Sequence, residues 1–206
     1  PVGCVSRPRD APHQSAPIRD LAGFPTHVAA ATDKLYRAHK RENGPWWFSS
    51  DGGGRFDLAP PRGTCYLGFT RAAAVREAVG PMLIEMGFVA PQFLSARRVS
   101  AVQLPHDHVL ADTTSEAAAN FGVTRELCTM TPYDIPQQWA AALANQAAGI
   151  RYETRFSTAS DAHAAAVFGT AGEADWPEPS PADVIGLTKA AADCGIATLP
   201  PPKTVT

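Results

Sequence analysis

Thr64-Cys65-Tyr66-Leu67-Gly68-Phe69-Thr70, followed at once by Arg71-Ala72-Ala73-Ala74-Val75-Arg76-Glu77, is the stretch on which the fold turns. Its first half has the length and composition of a strand. Thr70 is a good helix N-cap, because its hydroxyl can accept from an N–H of the first turn. The alanine-rich run after it predicts a helix to about Gly80, with Pro81 helping to end it. Ala73, Ala74 and Glu77 share one face of that helix by the i, i+3, i+4 rule. A carboxylate on a small, apolar face that points inward is costly without a partner. Arg76 is adjacent in sequence and points elsewhere, so the partner must come from another element. The helix is alanine-rich all round, however, and on periodicity alone a solvated Glu77 is the commoner outcome.

Upstream, Lys34-Leu35-Tyr36-Arg37-Ala38-His39 alternates like a strand, with Leu35, Arg37 and His39 on one face. An arginine there is either part of an exposed face or an anion clamp. Residues 41–63 read as a loop, marked by Gly44-Pro45, Asp51-Gly52-Gly53-Gly54, Pro60-Pro61 and Gly63. Loops this long are usually functional or disordered, and Trp46, Trp47, Phe48 and Phe56 argue against disorder. Trp46-Trp47 can stack on a base or plug the core, and the plug is more common. Arg55 follows three glycines, which permit close backbone approach to a ligand, and its guanidinium fork suits phosphate. A flexible surface loop gives the same pattern.

Downstream, strands are expected at 97–104 and 108–112, and a helix over Ser115–Phe121. Pro136 falls in the first turn of a helix reaching about Ala148. Further strands are expected at 150–154 and 164–168, and a last helix from Ser180-Pro181 to Cys194, closed by Gly195. Residues 1–30, punctuated by Pro8, Pro12, Pro17 and Pro25, read as a peripheral N-terminal extension. Residues 31–170 form the main domain, and 171–206 a C-terminal helix and tail packed on it, with Pro200-Pro201-Pro202 extended. Strands and helices mix without a strict βαβ rhythm, which indicates the α+β class.

Composition excludes several functions. The chain has 206 residues, 45% of them hydrophobic and 18% charged, which suits one domain with a real core. Its 18 basic and 20 acidic residues give a formal charge of -2 and no basic run, so nucleic-acid binding has no electrostatic footprint. No apolar stretch approaches the ~20 residues of a spanning helix. Cys4, Cys65, Cys128 and Cys194 form no C-x-x-C pair, which favours indifferent thiols in a reducing cytoplasm over zinc or disulfides. His106-Asp107-His108 has no third histidine nearby and lies in a turn set by Pro105, so no metal is expected. Ser157-Thr158-Ala159-Ser160 lacks a G-x-S-x-G elbow.

Weak singly, these signals gain from their order. Leu35-Tyr36-Arg37-Ala38-His39, Pro45-Trp46-Trp47-Phe48, Gly54-Arg55-Phe56-Asp57, Thr64 to Phe69, Ala72 to Glu77 and Gly149-Ile150-Arg151-Tyr152-Glu153-Thr154-Arg155 resemble the RES-domain family over roughly residues 34–168. The resemblance implies a fold similar to ADP-ribosyltransferase toxins, with mixed or antiparallel sheets and flanking helices. It implies cleavage of the nicotinamide–ribose bond of NAD⁺, used as substrate, with phosphate or water as acceptor. It further implies a cytoplasmic toxin that depletes cellular NAD⁺ and is paired with a cognate antitoxin. An ADP-ribosyltransferase acting on a protein, or an inactive binding module for NAD⁺ or a partner, are the alternatives. The family's two arginines fall on Arg37 and Arg55, its tyrosine on Tyr66 and its glutamate on Glu77. Arg37 and Arg55 would then grip the diphosphate, Tyr66 or an aromatic of the 46–56 loop stack on nicotinamide, Glu77 stabilise the sugar cation or hold a ribose hydroxyl, and Thr154 hydrogen-bond the ribose or a phosphate. The family serine falls on Thr154, a departure that keeps a hydroxyl and adds a methyl.

Overall fold

A computed structural model describes residues 13–198, so Cys4 and the Pro200–Pro202 tail lie outside the described residues. In chain order the strands are β1 (Thr26–Ala29), β2 (Leu35–Lys40), β3 (Trp47–Phe48), β4 (Arg62–Gly68), β5 (Arg97–Val102), β6 (His108–Asp112), β7 (Gly149–Glu153), β8 (His163–Thr170), β9 (Gly172–Glu173) and β10 (Val184–Gly186). The helices are α1 (Arg71–Met86), α2 (Pro91–Ser95), α3 (Asp134–Leu143) and α4 (Leu187–Asp193), with 3₁₀ turns at Glu116–Phe121, Arg125–Cys128 and Pro181–Asp183. Eight strands form one sheet in the order β1-β6-β7-β8-β4-β2-β5-β10, and β3 pairs with β9 as a small second sheet. β6 and β7 run parallel while the other neighbours are antiparallel. The chain is an α+β protein.

The large sheet is nearly divided in two. β2 stays in register with β5 from Leu35↔Val102 to Lys40↔Arg97, yet it meets β4 only at Tyr36↔Gly68. One wing is therefore β1-β6-β7-β8-β4 and the other β2-β5-β10. On the front of the larger wing Phe56, Trp139, Leu143, Ile150, Tyr152 and Phe168 pack beneath α3 and the 3₁₀ turns. On the front of the smaller wing Val75, Val79, Leu94, Val99 and Leu187 join α1, α2 and α4. A third cluster behind the sheet buries Leu35, Trp46, Phe48, Cys65, Leu67 and Leu110. Burying one such large side chain contributes about 1.5–3 kcal/mol, so each cluster outweighs local helix and strand preferences.

Several elements depart from the sequence-based expectations. α1 does not stop at Gly80. It runs on to Met86 with Pro81 inside, and ends at Gly87, whose φ of 73° and N–H to Leu83 O close it. Packing of Val79, Met82 and Leu83 in the front cluster of the smaller wing outweighs the bond that proline removes. The helix at Ser115–Phe121 is a 3₁₀ turn. α3 ends at Leu143, short of Ala148, because Ala148 N–H pairs with Val109 O on β6 instead. The expected last helix is a 3₁₀ turn, then β10, then α4 from Leu187. Residues 21–29 are not peripheral: Leu21 and Phe24 enter the core, and β1 pairs with β6. Trp46 plugs the core at 0% exposure, whereas Trp47 is 40% exposed.

Candidate active site

The cleft opens where β2 and β4 part. A cavity of about 250 Å³ there is walled by Ala38 of β2, Tyr66 and Gly68 of β4, Glu77 and Pro81 of α1, and Arg55, Tyr133, Tyr152 and Phe156. Thr70 caps α1 through its hydroxyl, accepting from Ala73 N at 3.1 Å, which fixes where the helix begins. Glu77 then falls two turns in, facing the cavity. Pro81, four residues on, has no N–H to offer the Glu77 carbonyl. Gly80 lets the Phe156 ring lie directly on the helix, since a Cβ there would fall within the ring.

Glu77 Oε1 accepts from Arg155 N–H at 2.9 Å. Burial pushes its carboxyl above the ordinary carboxylate range, while the Arg155 and Phe156 N–H groups and the charge of Arg55 pull the other way. Arg55 is 7% exposed. It donates to Met130 O at 2.9 Å and lies 4.9 Å from the Tyr133 ring centroid. Its loop is pinned from every side. Gln137 donates to both Gly52 O and Gly54 O at 3.0 Å, and Gly54 N–H reaches Asp57 Oδ2 at 2.9 Å. The Tyr66 hydroxyl donates to Asp57 Oδ1 at 2.8 Å and accepts from Phe56 N–H at 2.8 Å. Tyr66 thus offers its ring to the cavity while its hydroxyl holds the arginine loop in place. Asp57 is buried, and burial raises its carboxyl despite the bonds from Gly54 and Tyr66.

The sequence-based candidates divide. Arg55, Tyr66 and Glu77 converge on the cavity. Thr154, two residues beyond Tyr152, is buried but does not line the cavity, and its Oγ1 finds no partner among the described residues. Arg37 is not brought to the cavity. With Leu35 and His39 it faces the back of the sheet, where it donates to Cys65 Sγ and, at 2.8 Å, to Trp47 O. Ala38, its neighbour, is the β2 residue that reaches the cavity. Tyr133, Tyr152 and Phe156 also line the cavity and Asp57 anchors Tyr66, none of them marked by sequence reasoning. Asp57 stands inside the Arg-Phe-Asp run, and Tyr152 two places before Thr154, so the signal was present in the motifs. Tyr152 is 3% exposed and packs on Phe56 at 5.1 Å, and burial followed by the charge of Glu77 raises its hydroxyl well above the ordinary tyrosine range.

Among the described residues no group of three or more His, Cys, Asp or Glu is arranged to hold a metal ion. His106 and His108 stack on each other at 4.5 Å, and His108 Nδ1 lies 2.8 Å from His106 O. No described helix is long and apolar enough to cross a membrane.

The family model described as the RES domain matches residues 34–185, a span that takes in every cavity-lining residue named above and extends to β10. Among solved structures, a chain of the M. tuberculosis MbcT–MbcA toxin–antitoxin complex is similar at 16% identity and a TM-score of 0.58. That likeness covers 78% of this chain and 87% of the other. No curated protein matches the sequence closely enough to argue from.

Proposed function

The chain belongs to the RES-domain family, and on that premise we propose that it cleaves the nicotinamide–ribose bond of NAD⁺ and acts as the toxin of a toxin–antitoxin pair. One observation carries the chemistry: a half-buried carboxylate, Glu77, and a buried guanidinium, Arg55, face one aromatic-walled cavity. The leaving nicotinamide is already cationic, so it departs with the bonding electron pair and needs no proton. Positive charge builds on the ribose, and a carboxylate preorganised beside it stabilises that state more than the ground state. Glu77 is held for this by the Arg155 N–H. With its carboxyl raised it is also suited to take the proton of an attacking water or phosphate oxygen as the new bond to C1′ forms.

Arg55 pairs with the diphosphate, which leaves Arg37 to brace the two wings from behind. Tyr66, Tyr152 and Phe156 enclose the nicotinamide and exclude water. Thr154, its hydroxyl unpartnered, supplies a hydrogen bond to the ribose after a small shift of the β7 end. The MbcT–MbcA complex pairs a toxin with an antitoxin, and a protein partner of that kind fits a cleft open to one side. Action in the cytoplasm follows from the substrate.

Incubation of the purified protein with NAD⁺, with and without inorganic phosphate, tests the reaction. Free nicotinamide with ADP-ribose marks hydrolysis, and nicotinamide with ADP-ribose 1″-phosphate marks phosphorolysis. Nicotinamide release only in the presence of a protein that gains the mass of ADP-ribose would replace this proposal with protein modification. No release under any of these conditions would overturn it.

A further inference from the structure

The cavity beside Glu77 is too small for a whole dinucleotide. At about 250 Å³ it falls below the ~300–1,000 Å³ of ordinary ligand pockets and suits nicotinamide with its ribose. A second concavity of about 310 Å³ adjoins it, lined by Gly52, Thr131, Pro132, Tyr133, Asp134 and Gln137. Tyr133 lines both, and the Gly52-Gly53-Gly54 turn flanks both. Arg55 stands at the junction, since it lines the first cavity and packs on Tyr133. A molecule with its ribose at Glu77 and its diphosphate at Arg55 therefore leads its other half into the second groove.

We propose that this second groove holds the adenosine of the dinucleotide and that Asp134 makes the site select NAD⁺ over NADP⁺. The inference rests on the function proposed above. Asp134 is exposed and is the one charged residue lining the groove. Its carboxylate can accept hydrogen bonds from the ribose hydroxyls, the logic by which acidic residues select unphosphorylated dinucleotides in other folds. The same charge repels a 2′-phosphate. Without it the surroundings would favour one: Asp134 is the first residue of α3, whose N-terminus attracts anions, and Arg55 packs on the preceding residue, Tyr133. Asp134→Asn should therefore relax the preference, raising the use of NADP⁺ relative to NAD⁺.

The experiment is the ratio of kcat/KM for nicotinamide release from NAD⁺ and NADP⁺, in wild type and Asp134→Asn. The expected result is a wild-type preference for NAD⁺ of tenfold or more, which falls at least threefold in the variant. Equal use of both by wild type, or an unchanged ratio in Asp134→Asn, would overturn the groove's role. Nicotinamide mononucleotide, which lacks adenosine, tests the first cavity alone. Its cleavage together with an unchanged ratio rejects the second groove and leaves the reaction standing. If no substrate is cleaved, the reaction fails, and equal affinity of wild type for ADP-ribose and its 2′-phosphate in calorimetry then rejects the groove as well.

Discussion

Glu77 sits where burial disfavours the charged form of its carboxyl. Burial raises its carboxyl, and the Arg155 N–H together with the Arg55 charge only partly restores it. A group whose pKa is raised on folding contributes full stability below its unfolded pKa and loses it as pH rises through the folded value. Glu77 thus weakens the native state at neutral pH, as groups placed for chemistry often do. Glu77→Gln should melt higher than wild type at pH 7, with the gap closing below about pH 4, near the unfolded carboxyl pKa. Thermal melts across that range check this, and a variant that melts lower at pH 7 would remove the idea of a cost. At this scale the sequence was informative for residues that motifs mark. Arg55, Tyr66 and Glu77 could be named in advance because their neighbours, Gly54, Phe56, Leu67 and Ala74, form recognisable runs. Arg37 could be named equally well, but which sheet face it takes depends on pairing with β5, and no local pattern carries that.

The element that sets the site is α1 with its proline. Pro81 in sequence reads as a helix end, since a ring without an N–H costs about 3 kcal/mol in a helix interior. Apolar contacts from Val79, Met82, Leu83 and the neighbouring α4 exceed that loss, and tertiary packing of this kind is invisible in an alanine-rich pattern. Gly80 is the second such case. It reads as a stop signal, yet it serves to admit Phe156 against the helix. Gly80→Ala should gain at most about 1 kcal/mol of helix propensity. It should lose about 1–3 kcal/mol by overpacking the ring. The net expectation is a lower melting temperature and a higher KM for the nicotinamide-bearing substrate, read by thermal melts and steady-state kinetics. A stabilised variant with unchanged KM would show that Phe156 does not form the cavity wall in solution.

Across the whole molecule the site depends on a sheet that opens at one seam and holds everywhere else. The parallel pair β6–β7 is secured by Arg151 Nη1 to Asp112 Oδ2 at 3.0 Å, with Thr114 Oγ1 at 2.7 Å from the same nitrogen. Burial would raise the Asp112 carboxyl, but the bonds from Thr114 and the charge of Arg151 outweigh it and hold it below its usual value. Its contribution is present above the unfolded carboxyl pKa and is lost as pH falls through the depressed folded value. Asp112→Asn should cost about 1–3 kcal/mol at pH 7, because it removes the charged partner of Arg151 and leaves the Thr114 hydroxyl on the same nitrogen, and the difference from wild type should vanish in acid. Urea unfolding at pH 7 and at low pH measures both, and an equal loss at both would reject the charge. The class, α+β, was legible from the mixed elements. The seam was not, because it arises where β2 turns to β5 and leaves β4 at Tyr36↔Gly68, a long-range choice made by packing on both faces.

The most direct test of the central claim is single-turnover release of nicotinamide from NAD⁺ by wild type and by Glu77→Gln, with NAD⁺ affinity measured separately. Wild type should release nicotinamide and Glu77→Gln should lose at least a hundredfold in the rate, with affinity changed by less than tenfold. Glu77→Gln releasing nicotinamide at the wild-type rate while binding NAD⁺ normally would contradict that claim.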